Sequence, residues 1–379
     1  MDTDNSVQTT QMIDDPAVID LGVGQPQLSL LPLERIRQAA EIRFAQNDPT
    51  FLQYGAEQGD GYLRQGLAHL LTEQYGFPVF PKNLFITNGA SLGLDLTCTL
   101  FAKPGDTIFI EEPSYFLALR IFADHHLRLV SIPVDENGLV VEALEQELKK
   151  VRPTFLYTVS AFQNPSGYTL SEERRARLAQ LSRENGFLII ADEVYHLLNF
   201  SAELPRPFAA YTEEGNIISL GSFSKILAPG LRLGWIQTDP QRAKAFAACG
   251  LLDSGGGLNP FTSAIVRGLV ESGGLKANIE HLCTTYQARA ASMDAALRKY
   301  IPGAVYQVPR GGYFFWIRLP DGRDAEALMK RAEKFQVSFR PGVRFSSRGA
   351  LRDYARLCFA YYEADQLAEG IARLGRALE

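Results

Sequence analysis

Cysteine is scarce in this 379-residue sequence: the four present, Cys98, Cys249, Cys283 and Cys358, lie far apart and form no CxxC pair. That spacing excludes a disulfide framework and a zinc ribbon and fits a reducing compartment. Long apolar runs are absent too, and stretches such as FLII (187–190) are far too short to cross a bilayer. Neither sign of charge dominates: 38 basic residues against 43 acidic ones leave a net charge of -5, with no general attraction to nucleic acid or anionic lipid. There is no internal repeat and no low-complexity linker. The opening MDTDNSVQTTQMIDDP is acidic and polar, without the basic start and apolar core of a signal peptide, so a soluble, cytoplasmic protein is expected.

What is present is ordinary globular composition. Hydrophobic residues at 46% and charged residues at 21% exclude disorder and a fibrous fold. A chain of this length suits two domains and buries roughly three quarters of its unfolded surface, so it needs no disulfide or metal staple.

From about residue 84 to 237, short β-type runs alternate with longer amphipathic segments. LFIT (84–87), TIFIEE (107–112), LRLVSIPV (127–134), TFLYTVS (154–160), FLIIADE (187–193), NIISLGSF (216–223) and LGWIQT (233–238) read as strands. Several are apolar throughout, which predicts strands covered on both faces, and their alternation with helices predicts a mostly parallel α/β sheet. Ligands bind at the carboxyl ends of such strands, so chemistry is expected just after these runs. SEERRARLAQLSREN (171–185) reads as a helix capped by Ser171, with acids in its first turn. After about 265 the pattern changes to a long helix (roughly 278–300), a strand-like hairpin segment YQVPRGGYFFWIRLP and further alternation. The expected division is a large α/β domain over 51–264 and a smaller α+β domain from 1–50 and 265–379.

Four segments carry candidate chemistry. In SFSKILAPGLRLGW (222–235), Lys225 follows a β-type run in a hydroxyl-rich turn, with Arg232 seven residues on. A lysine there is either a solvated loop residue or a desolvated amine able to attack a carbonyl. Ser222 and Arg232 suit a phosphate. In ADEVY, Asp192 closes the FLII run, either as a helix N-cap or as a buried acid with a cationic partner. FQNPSGY (162–168) signals a turn after a strand, and TNGASLGLDL (87–96) leads through Gly89 into a helix whose first N–H groups suit an anion.

Together these motifs resemble the fold-type I pyridoxal-phosphate enzymes, specifically the class I/II aminotransferases, in tone closest to the branch with aromatic and 2-aminoadipate aminotransferases. TNGASLGLDL, EEPSY, QNPSGYTL, ADEVY, SFSKILAPGLRLGW and ARLCFAYYE occur in the family's order and spacing, and the likeness runs from about Asp20 to near the C-terminus. The resemblance implies a large domain with a mostly parallel, seven-stranded-type sheet and a smaller α+β domain. It implies pyridoxal 5'-phosphate joined to Lys225 as a Schiff base, Asp192 paired with the ring nitrogen, and Asn164 and Tyr195 on the ring's phenolic oxygen. Tyr115 matches the residue stacked on the ring, although a core or interface tyrosine is the plainer reading. Gly89, Ala90 and Ser91 match the phosphate turn, where Ala90 replaces a hydroxyl common in relatives. Ser222 and Arg232 complete that cup, and Ser224 either contributes or stabilises its turn.

For substrate, Arg356 matches the clamp on the α-carboxylate; the alternative is a salt bridge at a sheet edge. Gly24 matches a glycine whose backbone lies near that carboxylate, and Asn164 belongs to the same set. Tyr54 matches a tyrosine that reaches the neighbouring subunit's phosphate, which implies a homodimer with shared active sites. The implied reaction is ping-pong transamination between an amino acid and a 2-oxo acid. A β-lyase on the same scaffold and a non-catalytic regulatory domain are the alternatives. Tyr115, Phe116 and GGYFFW offer an apolar, aromatic neighbourhood for the substrate side chain. Arg340, Arg344 and Arg348 form either a solvated face or, through one of them such as Arg344, a seat for a distal carboxylate.

Overall fold

The computed structural model describes residues 10–11, 15–201, 206–213 and 215–379. Most of the acidic opening segment, read above as lacking a signal peptide, lies outside them. The strands are β1 (Ile19–Asp20), β2 (Leu84–Thr87), β3 (Thr107–Glu112), β4 (Arg128–Asp135), β5 (Gly138–Leu139), β6 (Phe155–Thr158) and β7 (Leu188–Asp192). They continue with β8 (Ile217–Ser222), β9 (Gly234–Thr238), β10 (Phe314–Arg318), β11 (Val337–Ser338), β12 (Arg340–Pro341) and β13 (Tyr354–Cys358).

Eight strands form the main sheet in the order β2-β9-β8-β7-β6-β3-β4-β5. The run from β8 to β4 is parallel, β9 is antiparallel to both neighbours, and β5 is a two-residue antiparallel edge. This is the expected seven-stranded arrangement with one short hairpin strand added. Alternate residues of β6 enter opposite layers: Phe155 and Tyr157 join one apolar cluster and Leu156 the other. β3 divides in the same way, with Ile108 and Ile110 on one side and Phe109 on the other. Each central strand is therefore sealed on both faces, which is why it reads as apolar throughout.

The helix Glu172–Asn185 covers the second layer with Leu178 and Leu181. It begins where expected: the Ser171 hydroxyl accepts from Arg174 N at 3.3 Å, and Gly186 ends the helix in a left-handed conformation. The long C-terminal-half helix runs over Gly274–Tyr300, four residues earlier than predicted. Of the segment YQVPRGGYFFWIRLP, only Phe314–Arg318 is a strand. Its main partner is not a hairpin neighbour but β13, in a three-stranded antiparallel sheet β10-β13-β12; a single bridge joins Val305 to Arg318. A hairpin reading misses this because the pairing spans some forty residues. A third, two-stranded sheet pairs β1 with β11. Among the described residues no helix is long and apolar enough to cross a membrane.

Candidate active site

Because β6, β7 and β8 are parallel neighbours, their carboxyl ends share one edge of the sheet. Asp192 is the last residue of β7 and Ser222 the last of β8, while the loop after β6 carries Asn164. Asp192 leads into a turn, not a helix, so the N-cap reading of that acid is wrong. It is a buried acid: Oδ2 accepts from the Tyr157 hydroxyl at 2.8 Å, and Oδ1 has no hydrogen-bond partner among the described residues. Burial raises its pKa to about 6, against the opposing pull of the Tyr157 hydroxyl, the Val194 N–H and the Lys225 charge.

Lys225 lies in the turn after β8. Its Nζ donates to the Gly24 carbonyl at 3.0 Å and stands 5.1 Å from the Tyr313 ring and 5.7 Å from the Tyr195 ring. Desolvation by these rings lowers its pKa to about 8, so the neutral, nucleophilic amine is accessible near neutral pH. Tyr195 is itself buried between Tyr313 and Phe314, with ring centroids 5.3 and 5.8 Å away.

Gly89 precedes the helix Ala90–Phe101 with φ of 83°, and no side chain caps that helix start. Its first N–H groups are thus available to an anion. A Cβ on Gly89 would fall 2.6 Å from Arg232 Nη2, so the arginine passes only because the residue is glycine. Arg232 closes the cup by donating to Asn88 O at 3.3 Å and Ser224 Oγ at 3.4 Å. The Ser222 hydroxyl accepts from Ser224 N, which gives these two serines a turn-building role. Ala90 is half-buried at the helix start, and Ser91 is exposed beside it.

Arg356, on β13, is 3% exposed and has no carboxylate partner among the described residues. The salt-bridge reading does not hold. Its Nη1 donates to Asn164 Oδ1 at 2.8 Å and its Nη2 to Gly22 O at 2.7 Å, while Nε is buried without a partner. The guanidinium lies 4.2 Å from the Phe314 ring and 5.0 Å from that of Phe345. Gly24 borders it: a Cβ there would sit 3.6 Å from Nη2. Tyr115, half-buried after β3, has its pKa pushed up to about 12 by burial and then by the Asp192 charge, which sets it beside the cluster.

One predicted residue stands apart. Tyr54 is 84% exposed in the single chain and makes none of these contacts. Of the three loop arginines, Arg340 pairs with Asp20 at 3.1 Å and Arg348 approaches Glu112 at 3.8 Å, whereas Arg344 is exposed.

Sequence reasoning missed Tyr157, which flanks Asp192, and Glu111 and Gln163 behind Asn164; Tyr313, which flanks Lys225, fell in the aromatic GGYFFW segment but was given no role beside the lysine. The doubled acid at the end of TIFIEE is the same signal that singled out Asp192. Tyr157 has none, since a tyrosine inside an apolar strand reads as core. Glu193, next to Asp192, is a different kind of group. It accepts from Ser160, Ser219 and the Phe208 N–H and lies 3.5 Å from the buried Arg175, so its charge is fully matched.

Comparison with known proteins shows the family. The family model described as aminotransferase class I and II matches residues 16–374. Aromatic-amino-acid aminotransferase 1 of Thermococcus litoralis is 34% identical, over 97% of this chain and 90% of that protein. The solved α-aminoadipate aminotransferase of Thermus thermophilus, complexed with N-(5'-phosphopyridoxyl)-L-leucine, superposes with a TM-score of 0.87 at 32% identity, covering 96% of this chain and 92% of that one. YisV, an uncharacterized HTH-type transcriptional regulator of Bacillus subtilis, is 31% identical over 93% of this chain and 72% of its own length. The chain belongs to the class I and II aminotransferases and is a pyridoxal-phosphate-dependent transferase.

Proposed function

We propose that this protein moves an amino group between an amino acid and a 2-oxo acid by a ping-pong mechanism, with pyridoxal phosphate joined to Lys225. The observation that carries this reading is the meeting, at one sheet edge, of a desolvated amine (Lys225), a buried acid with one unmatched oxygen (Asp192) and a buried arginine with a free donor (Arg356).

These residues fit the cofactor. The open helix start at Gly89, Ala90 and Ser91, with Ser222, Ser224 and Arg232, offers donors for its phosphate. The unmatched Asp192 oxygen suits a protonated ring nitrogen, which in turn would hold the acid ionised despite its burial. Tyr195 and the Asn164 amide supply donors for the ring oxygen, and Tyr115 a face to cover the ring. When bound, pyridoxal phosphate supplies an electron-accepting ring that stabilises the charge left on Cα.

The chain's own residues do the rest. Arg356 binds the substrate α-carboxylate, using the buried Nε–H that has no other partner. This would orient the Cα–H bond toward Lys225, whose amine is the group placed to take that proton and later give it back. The rings of Phe314 and Phe345 against Arg356, with Phe116 5.3 Å from Phe345, exclude water and suit an aromatic or long aliphatic side chain.

The same reading divides the chain at 51–264 against 1–50 plus 265–379; the eight-stranded sheet lies wholly within the first part and the two small sheets outside it. It also makes the protein a homodimer. The exposed Leu33, Ile42, Leu52, Tyr54 and Tyr62 form an apolar set that a second copy would cover, placing Tyr54 at its neighbour's phosphate. A monomer in sedimentation at working concentration would contradict that. The four free cysteines suit the cytoplasm.

The test is a half-reaction screen: holoprotein is mixed with single amino acids, and conversion of the cofactor absorbance to the pyridoxamine form is followed. Retained amine with a 2-oxo acid product marks transamination; released ammonia marks a β-lyase, and no conversion by any amino acid marks a non-catalytic binding domain. Lys225→Ala should lose the borohydride-fixed adduct and turnover together, and substantial turnover by that variant would overturn the mechanism.

A further inference from the structure

Glu111 lies inside the main sheet, 1% exposed, one residue before the end of β3. Its carboxylate accepts from three donors: the Thr158 hydroxyl at 2.5 Å on one oxygen, and Val159 N at 3.0 Å and Gln163 Nε2 at 2.7 Å on the other. Burial pushes its pKa up to about 7, with these three donors acting against burial and the Asp192 charge adding to it. A buried acid this close to neutrality is costly to keep and serves no structural pairing of the kind that matches Glu193 to Arg175.

Its one side-chain amide partner leads to the active site. Gln163 Nε2 also donates to Pro113 O at 2.9 Å, and Gln163 Oε1 accepts from Ser166 N at 3.1 Å. The Gln163 carbonyl accepts from Gly167 N at 2.7 Å. Gln163 is thus bonded on both sides of the turn that contains Asn164, and Asn164 Oδ1 is the acceptor for Arg356 Nη1 at 2.8 Å. With that oxygen committed, the Asn164 amide nitrogen must face the other way.

We infer that Glu111 is a positioning residue: through Gln163 it sets the Asn164 turn and so aims Arg356 at the substrate carboxylate. This rests on the proposed role of Arg356. Removing the carboxylate leaves Gln163 Nε2 short of a partner and frees the turn to shift. Glutamine at 111 can still serve, because its oxygen accepts from Val159 and Gln163 while its amide donates to the Thr158 hydroxyl. Leucine cannot.

The probe is 3-phenylpropionate, a carboxylate without an amine, titrated calorimetrically into holoprotein. Melting of the cofactor-free chain and kcat and KM for an aromatic donor are measured alongside. Glu111→Leu should weaken the probe about tenfold, the size of one lost buried hydrogen bond, and raise KM more than it lowers kcat. Combined with Asn164→Ala it should add little to that variant's loss, and Glu111→Gln should recover most of the affinity. Should Glu111→Leu not fold, Gln163→Leu carries the same expectations. Unchanged probe affinity in a variant whose melting point falls would overturn the positioning role, as would full additivity with Asn164→Ala. Arg356→Ala separates the two readings. If it abolishes probe binding while Glu111→Leu and Gln163→Leu leave the affinity unchanged, the positioning role alone falls. If it leaves binding intact, the carboxylate sits elsewhere and both fall.

Discussion

The Tyr157 hydroxyl donates to Asp192 Oδ2 at 2.8 Å across the neighbouring parallel strands β6 and β7. This bond is one of the few forces that oppose burial and favour the ionised acid, whose pKa stands raised to about 6. Tyr157→Phe removes the donor, so the Asp192 pKa rises further and a larger share of the acid is neutral at pH 6 to 7. Affinity for pyridoxal phosphate, measured by fluorescence titration, should fall about tenfold at pH 6 and recover as pH rises past 8. A loss of equal size at every pH would mean that the tyrosine acts by packing and not through the charge of Asp192.

A second titration concerns the fold. His196 is buried beside the Tyr75 ring, 5.4 Å between centroids, with Nδ1 unpartnered among the described residues. Burial first, then the Arg175 charge, lowers its pKa to about 3 from an ordinary 6.5. The folded chain thus keeps His196 neutral where the unfolded chain takes up a proton. Its share of stability is full above pH 6.5 and is lost progressively as pH falls toward 3. Between pH 6.5 and pH 5 the wild type should lose ~2 kcal/mol more unfolding free energy than His196→Phe, which cannot titrate there. Urea denaturation of the cofactor-free chain at the two pH values measures this, and equal losses in both proteins would refute it.

Apart from Gly89, which marks a helix start, and Asn164 and Tyr195, whose roles came only from the family resemblance, the residues that stood out in the sequence share one feature: each is out of place for its local pattern. An acid closing FLII, a lysine in a hydroxyl-rich turn and an arginine between apolar residues all call for a reason. Strand limits in the main sheet were legible to within two residues because apolar runs bounded by turn residues mark them well, whereas of YQVPRGGYFFWIRLP only Phe314–Arg318 is a strand. What could not be read depends on neighbours in space. Tyr157 matters only because β6 lies beside β7, and Glu111 only because β3 lies beside β6, an order no periodicity records. Nor does the pair Asp192–Glu193 say which acid is matched; that follows from Arg175 arriving on the Glu172–Asn185 helix. The mistaken N-cap for Asp192 has the same origin, since the turn after β7 is shaped by tertiary contacts and not by local propensity.

Side-chain specificity divides the three loop arginines. Arg340 is held by Asp20, and Arg348 lies against Glu112, a carboxylate that also accepts from Ser346 and Ser347. Arg344 is exposed, has no ion-pair partner among the described residues, and directly precedes Phe345, whose ring lies 5.0 Å from the Arg356 guanidinium. Of the three it is the one without an ion-pair partner among the described residues, so the proposed seat for a distal carboxylate falls to it. Arg344→Ala should lower kcat/KM for glutamate about tenfold relative to norleucine, the worth of one charge-assisted hydrogen bond near the surface, and leave norleucine unchanged within about twofold. The effect should shrink with added salt, since an exposed pair is screened. A glutamate-to-norleucine ratio that does not move on substitution removes Arg344 from substrate selection and leaves the aromatic wall of Phe116, Phe314 and Phe345 as its determinant.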